Sequence, residues 1–171
     1  MLSDKVQAAL NEQINMELTS WYNYLAMSAF CEHRNFRGCA QWLRMQSDEE
    51  LGHAMKLYNF MQVRHCPVVL SAIASPVTQY ESIPAVFKLA LAQEEKVSAS
   101  INALYELALN EKAFAEVVEL QWFISEQVEE ERTARAIVAK FELIKDDPSA
   151  LLDMDRELGE RRPEPEPGGA A

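Results

Sequence analysis

Glycine is scarce in this chain, five residues in 171, and proline is hardly commoner at seven, three of them in the last nine positions. Residues that end or kink helices are therefore missing from long stretches, which favours long helices over many short strands and tight turns. Cysteine is limited to Cys31, Cys39 and Cys66, an odd number without Cys-x-x-Cys spacing. That excludes a disulfide framework or zinc knuckle and leaves buried or free thiols in a reducing compartment. Basic residues are outnumbered 16 to 27 by acidic ones, and the net charge of -11 argues against nucleic acid as a partner and for cations. No apolar run approaches the length of a membrane span, and Met1-Leu2-Ser3-Asp4-Lys5 lacks the apolar core of a signal peptide. A soluble, cytoplasmic protein with no membrane partner is expected.

What is present is ordinary for a folded domain, 49% hydrophobic and 25% charged residues. The chain length suits one compact unit, here residues 1–160, followed by a Pro/Glu/Gly tail over 161–171 that is expected to be disordered. Apolar spacings of three, four and seven predict helices over about 4–34, 38–64, 83–110 and 112–144. Ser3 or Asp4 can cap the first and Ser82 the third, and Asp147 with Pro148 starts a short fifth helix through Leu158. The short break at Asn35-Phe36-Arg37-Gly38 makes the second helix an antiparallel neighbour of the first. Residues 65–80 are extended, with Val68, Val69, Leu70 and Ile73 among prolines and serines. At about 16 residues they can span roughly 50 Å, the length of a 30-residue helix, so the third helix starts parallel to the second. The fold class is all-α, an antiparallel four-helix bundle with a long crossover between helices 2 and 3 and a short fifth helix. Gly52 inside the second helix costs roughly 1 kcal/mol relative to alanine, and close packing against a neighbour is the reason expected for it.

The four long helices share one fault. Each apolar stripe is interrupted near its middle by a carboxylate, a heptad from core residues on either side: Glu17 between Leu10 and Tyr24, Glu50 between Leu43 and Leu57, Glu94 between Phe87 and Ile101, Glu130 between Phe123 and Ile137. Four such groups at one level of a bundle repel one another unless a cation lies between them. His53 stands three residues after Glu50, on the same helix face, so the two can bind one metal ion. The halves also share a spacing: Glu17 precedes Glu50 by 33 residues and Glu94 precedes Gln127 by 33, with Glu130 three beyond. A helical hairpin used twice, with metal at the pseudo-two-fold axis, explains the pattern. It is the di-iron carboxylate arrangement with a degenerate second half, Gln127-Val128-Glu129-Glu130 in place of Glu-x-x-His. Hard carboxylate oxygens with one imidazole suit iron and would also accept Mn or Zn. His33 and His65 lie near helix ends and are expected on the surface, while Trp21, Trp122 and the methionines are expected in the core, with Trp122 close enough in sequence to the site to influence it.

Glu17 with Tyr24, Glu49-Glu50-x-x-His53, Glu94, Glu126-Gln127-x-Glu129-Glu130, the crossover and the fifth helix together resemble the non-haem ferritins of bacteria, over residues 1 to about 160. The resemblance implies a first iron site of Glu17, Glu50 and His53 and a second of Glu50, Glu94 and Glu130, bridged by Glu50. Gln127 would sit beside the pair, and Tyr24 would hydrogen-bond a ligand. Glu49, Glu126 and Glu129 match a third iron site of that family, although from the residues alone solvated surface glutamates are the better reading. The implied activity is that of a ferroxidase: two Fe(II) are oxidised by one dioxygen, or by hydrogen peroxide, and Fe(III) is stored as an oxyhydroxide mineral inside a shell of 24 identical subunits. Leu51 stands where the haem-binding methionine of bacterioferritin would fall, so no haem is expected. A di-iron oxidase or peroxide-detoxifying relative without a storage role is the alternative. A metal-free helical adaptor with solvated carboxylates is the rival of a different class.

Overall fold

The structure, a computed structural model, describes residues 2–145 and 147–162. The tail expected to be disordered lies outside the described residues from Pro163 on. Among the described residues five helices follow in order: α1 Asp4–His33, α2 Arg37–Val63, α3 Ile83–Asn110, α4 Phe114–Ile144 and α5 Pro148–Gly159. Their starts follow local chemistry, with Ser3, Ser82 and Asp147 each accepting from a backbone N–H of the first turn of α1, α3 and α5.

Glycine scarcity shapes the other ends. Asn35, His65 and Lys112 take φ of 62°, 55° and 56°, the left-handed conformation usually given to glycine. Beyond each, an N–H reaches back to the carbonyl five residues earlier, Phe36 to Cys31, Cys66 to Met61 and Ala113 to Ala108. These Schellman closures cap α1, α2 and α3 and fix the chain reversals without glycine.

Side-chain pairs give the topology. Trp21 meets Ser47 and Ser28 meets Ala40, so α1 and α2 are antiparallel. Gln13 reaches Ser100 while Asn23 reaches Gln93, which makes α1 and α3 antiparallel. Arg64 pairs with Glu116 and Gln46 with Glu130, which does the same for α2 and α4. Helices α2 and α3 are therefore parallel, as the crossover length requires. Asn11 holds the start of that crossover, accepting from the Val69 N–H at 2.7 Å and donating to the Pro67 carbonyl at 3.3 Å. Tyr80 closes its other end against Phe30, with ring centroids 5.0 Å apart. Between them Val69, Leu70 and Val77 stay exposed, so the crossover packs at its ends more than along its length.

The core is split. One apolar cluster, including Leu43, Phe87, Phe141 and Met154, fills the end where α5 docks. The other, including Leu10, Leu57, Ile101 and Leu120, fills the opposite end. A buried polar layer lies between them.

The close-packing role expected for Gly52 belongs to Gly38 instead. A Cβ on Gly52 would meet nothing within 4 Å, whereas one on Gly38 would stand 1.7 Å from the Asp155 carbonyl oxygen of α5. Beside it, the carboxylate of Asp155 accepts the Cys39 N–H at 2.8 Å, capping α2 where Phe36 provides no side-chain cap. Burial, with Asp155 alongside, pushes the Cys31 thiol up to about 12, and the three cysteines are free and buried. Opposite outcomes are expected in thermal unfolding of the metal-free protein. Gly52→Ala raises stability by about 1 kcal/mol, and Gly38→Ala lowers the melting temperature and loosens α5.

Candidate metal centre

The polar layer is built by one side chain or pair from each long helix. Glu17 comes from α1, Glu50 and His53 from α2, Glu94 from α3, Gln127 and Glu130 from α4, and all are at most 9% exposed. Ligand atoms of Glu17, Glu50 and His53 lie within 4.8 Å of one another, and so do those of His53, Glu126 and Glu130. The first group consists of the three residues expected from the sequence for a first iron site. The second places His53 at the junction between that site and the expected third. Glu94 joins neither triad, and Glu129 is exposed and paired with Arg132. Glu49, Glu126, Glu129 and Glu130 nevertheless line one cavity of about 190 Å³ together with Arg132, Thr133 and Arg161.

Hydrogen bonds orient most of these carboxylates. Gln13 Nε2 donates to Glu17 Oε1 at 2.7 Å, and Ser100 holds the Gln13 carbonyl oxygen at 2.6 Å. The Tyr24 hydroxyl donates to Glu94 Oε1. Gln127 Nε2 donates to Glu94 Oε2 at 3.3 Å, and Gln46 Nε2 to Glu130 Oε2 at 2.8 Å. Both oxygens of Glu50 and Oε2 of Glu17 are left buried with no hydrogen-bond partner. A carboxylate cannot stay charged in that setting without a cation. A metal ion fits among these carboxylates and His53, whose Nδ1 is 3.9 Å from Glu50 Oε1.

The electrostatics agree with a cation-binding role. Burial, with some help from Glu94, lifts Glu17 from 4.5 to about 7. Burial and the charge of Glu94 lift Glu130 to about 8. Burial followed by the charges of Glu94, Glu17 and Glu130 drives Glu50 well above the carboxylate range. Glu94 is raised too, by burial, against the opposing hydrogen bonds of Tyr24 and Gln127. Burial and then Lys56 lower His53 to about 4, so its imidazole is neutral near pH 7 and ready to ligate. Without metal the cluster holds protons, and a metal ion can replace them. The donor set of hard oxygens and one imidazole suits Fe(II) and Fe(III).

Trp21, Trp122 and one methionine lie less deep than expected. Trp122 is half-buried and touches the site, its ring edge-on to His53 with centroids 5.4 Å apart and Lys56 Nζ 4.7 Å from its own centroid. Trp21 is also half-buried, its carbonyl accepting from Ser47 Oγ. The methionines are not uniformly core, since Met55 is 42% exposed. His33 and His65 are exposed, as expected. Gln13 and Gln46 were missed, yet each stands four residues before a site glutamate and the two are 33 residues apart. The duplication that reveals Glu17 and Glu50 also contains them.

Residues 7–144 match the family described as a ferritin-like domain. The chain is 38% identical to a bacterial non-heme ferritin of Staphylococcus epidermidis over 161 residues, 94% of this chain and 97% of that protein. It is 35% identical to one of Staphylococcus aureus over the same shares of each chain. Among solved structures it is similar to an open-pore ferritin of the hyperthermophilic archaeon Archaeoglobus fulgidus, with TM-score 0.93 and 41% identity, covering 95% of this chain and all of that one. Bundle, crossover, carboxylate layer and full-length similarity agree, and the chain belongs to the ferritins, the iron-storage family.

Proposed function

We propose that this ferritin is a ferroxidase of the cytoplasm. Its substrates are two Fe(II) ions, held by Glu17, Glu50 and His53 and by Glu50, Glu94 and Glu130. Each iron gives one electron to dioxygen, which takes two protons and leaves as hydrogen peroxide; hydrogen peroxide can serve as the oxidant in turn. The Fe(III) formed passes into a shell of 24 subunits and is stored as a hydrolysed mineral. The observation that carries this reading is Glu50, fully buried with both oxygens unpartnered and with ligand atoms of Glu17 and His53 within 4.8 Å.

The residues divide the work. In this reading Glu50 faces both ions. Neutral His53 ligates without first losing a proton, and the neighbouring rings of Trp122 and Phe123 both pack edge-on against it. Gln13 and Gln46 hold Glu17 and Glu130 by one oxygen each and leave the other available. Tyr24 and Gln127 together aim Glu94. The second half supplies an amide, Gln127, where a symmetric centre would have another anionic ligand. That deficit favours a centre which releases Fe(III) over one which retains it, and so favours storage over a dedicated oxidase.

Removing Glu50 tests the assignment. Glu50→Ala is expected to slow the initial aerobic oxidation at two irons per subunit by at least about tenfold, a loss that even outer partners of a metal site can cause. The shell should still assemble, because the variant removes one member of a repelling cluster. Unchanged initial oxidation in stopped-flow absorbance would overturn the site.

Proton exchange gives a second test. Glu17 and Glu130 titrate near 7 and 8 in the folded chain against 4.5 ordinarily, so between these limits the folded state binds more protons than the unfolded one. Their stabilising contribution is full below 4.5 and is lost as the pH rises through 7 to 8. The metal-free melting temperature is expected to carry a downward component over that window, which Zn(II) suppresses. Calorimetry of Zn(II) binding at pH 6.5, in buffers of different ionisation heat, should show net proton release of about one per subunit or more.

A further inference from the structure

The cavity beside the proposed di-iron pair already contains a cation that the chain itself supplies. Arg161 directly follows the C-cap of α5, Glu160. Its Nη2 donates to Glu49 Oε2 at 2.6 Å and its Nη1 to Gln46 Oε1 at 2.9 Å. The guanidinium also lies over Trp42, 4.8 Å from the ring centroid. It is far from a loose surface group: its side chain is 20% exposed and that of Glu49 28%. The helix that carries it is anchored by Met154 and Leu158 in the core and by Asp155 on the Cys39 N–H.

These contacts reach the metal ligands by two routes. Glu49 is held directly. Gln46 accepts from Arg161 through its oxygen and donates through its nitrogen to Glu130, so the guanidinium holds that amide with its nitrogen towards Glu130. Arg132 lines the same cavity but spends its charge on the exposed Glu129. Arg161 is thus the cation that faces the buried side of the cluster.

We propose that Arg161 is a tethered counter-cation of the Glu49–Glu126–Glu129–Glu130 cavity, which a metal ion must displace to bind there, and that it keeps residence of metal beside the di-iron pair short. A guanidinium fork matches a carboxylate well and competes for the oxygen a metal would use. An ion leaving the pair through His53, Glu126 and Glu130 therefore meets a cavity that binds it weakly, which favours onward movement. The inference rests on the reading of this cavity as a third metal site.

The test uses the assembled, metal-free protein and Zn(II), which binds without redox chemistry. Wild type is expected to take two ions per subunit tightly and a third weakly. Arg161→Gln is expected to bind the third ion roughly tenfold to a hundredfold more tightly, the range a lost charge-assisted hydrogen bond implies, with the ion on Glu17, Glu50 and His53 unchanged. Arg161→Lys, which keeps the charge without the fork, should fall between them. Adding Glu49→Gln to Arg161→Gln should remove the third ion. Melting temperature and shell size of each variant separate displacement from damage to α5. Equal third-ion affinity in wild type and Arg161→Gln, with loss in Glu49→Gln, would overturn the role of Arg161 and leave the third site standing. No third ion in any variant would overturn the third site and the counter-cation together.

Discussion

Glu50 is a carboxyl group in the middle of a helical bundle with no hydrogen-bond donor for either oxygen, and the rest of the structure is arranged around that deficit. An isolated charge there costs several kcal/mol even after relaxation, roughly, so the group is either protonated or paired with a cation. The other three carboxylates of the layer each have at least one donor. This difference separates ligands that are oriented from the one that is left open. It also splits the hydrophobic core into two clusters, each closed at its own end of the bundle. The apolar ends hold the helices together, and the middle is free to be unfavourable until metal arrives.

The duplicated hairpin supplies the layer, and its departures from symmetry supply direction. Glu17 with Glu50 and Glu94 with Gln127 are equivalent in spacing but not in chemistry. His53 has no imidazole counterpart on α4, so the ligand field is stronger on the α1–α2 side. The second triad, His53 with Glu126 and Glu130, leads away from the pair towards the cavity where Arg161 sits. In the proposed reaction this gives Fe(III) a graded path, from an imidazole-containing site to carboxylates already neutralised by a guanidinium.

Much of this architecture is legible in the sequence because it depends on periodicity. Heptad spacing around Glu17, Glu50, Glu94 and Glu130 is a one-dimensional signal, and the length of residues 65–80 fixes the parallel relation of α2 and α3. Contacts between elements distant in sequence are less legible. Nothing near Gly38 says that α5 will pass over it, and nothing in Glu-x-x-His says that a residue 108 positions beyond His53, Arg161, will reach its neighbour Glu49. The role of Gly52 was misread for the same reason, since helical propensity is local and close packing is not. The Gln13 and Gln46 pair is an intermediate case: its 33-residue repeat was visible, but only geometry shows that Gln46 serves Glu130 across the bundle and not Glu50 one turn away.

The central claim is that two iron ions share Glu50. Anomalous scattering at the iron edge from crystals loaded anaerobically with Fe(II) tests it most directly. Two peaks are predicted in each subunit, one among Glu17, Glu50 and His53 and one among Glu50, Glu94 and Glu130, with an oxygen of Glu50 on each ion. A single peak, or peaks that Glu50 does not touch, would contradict it.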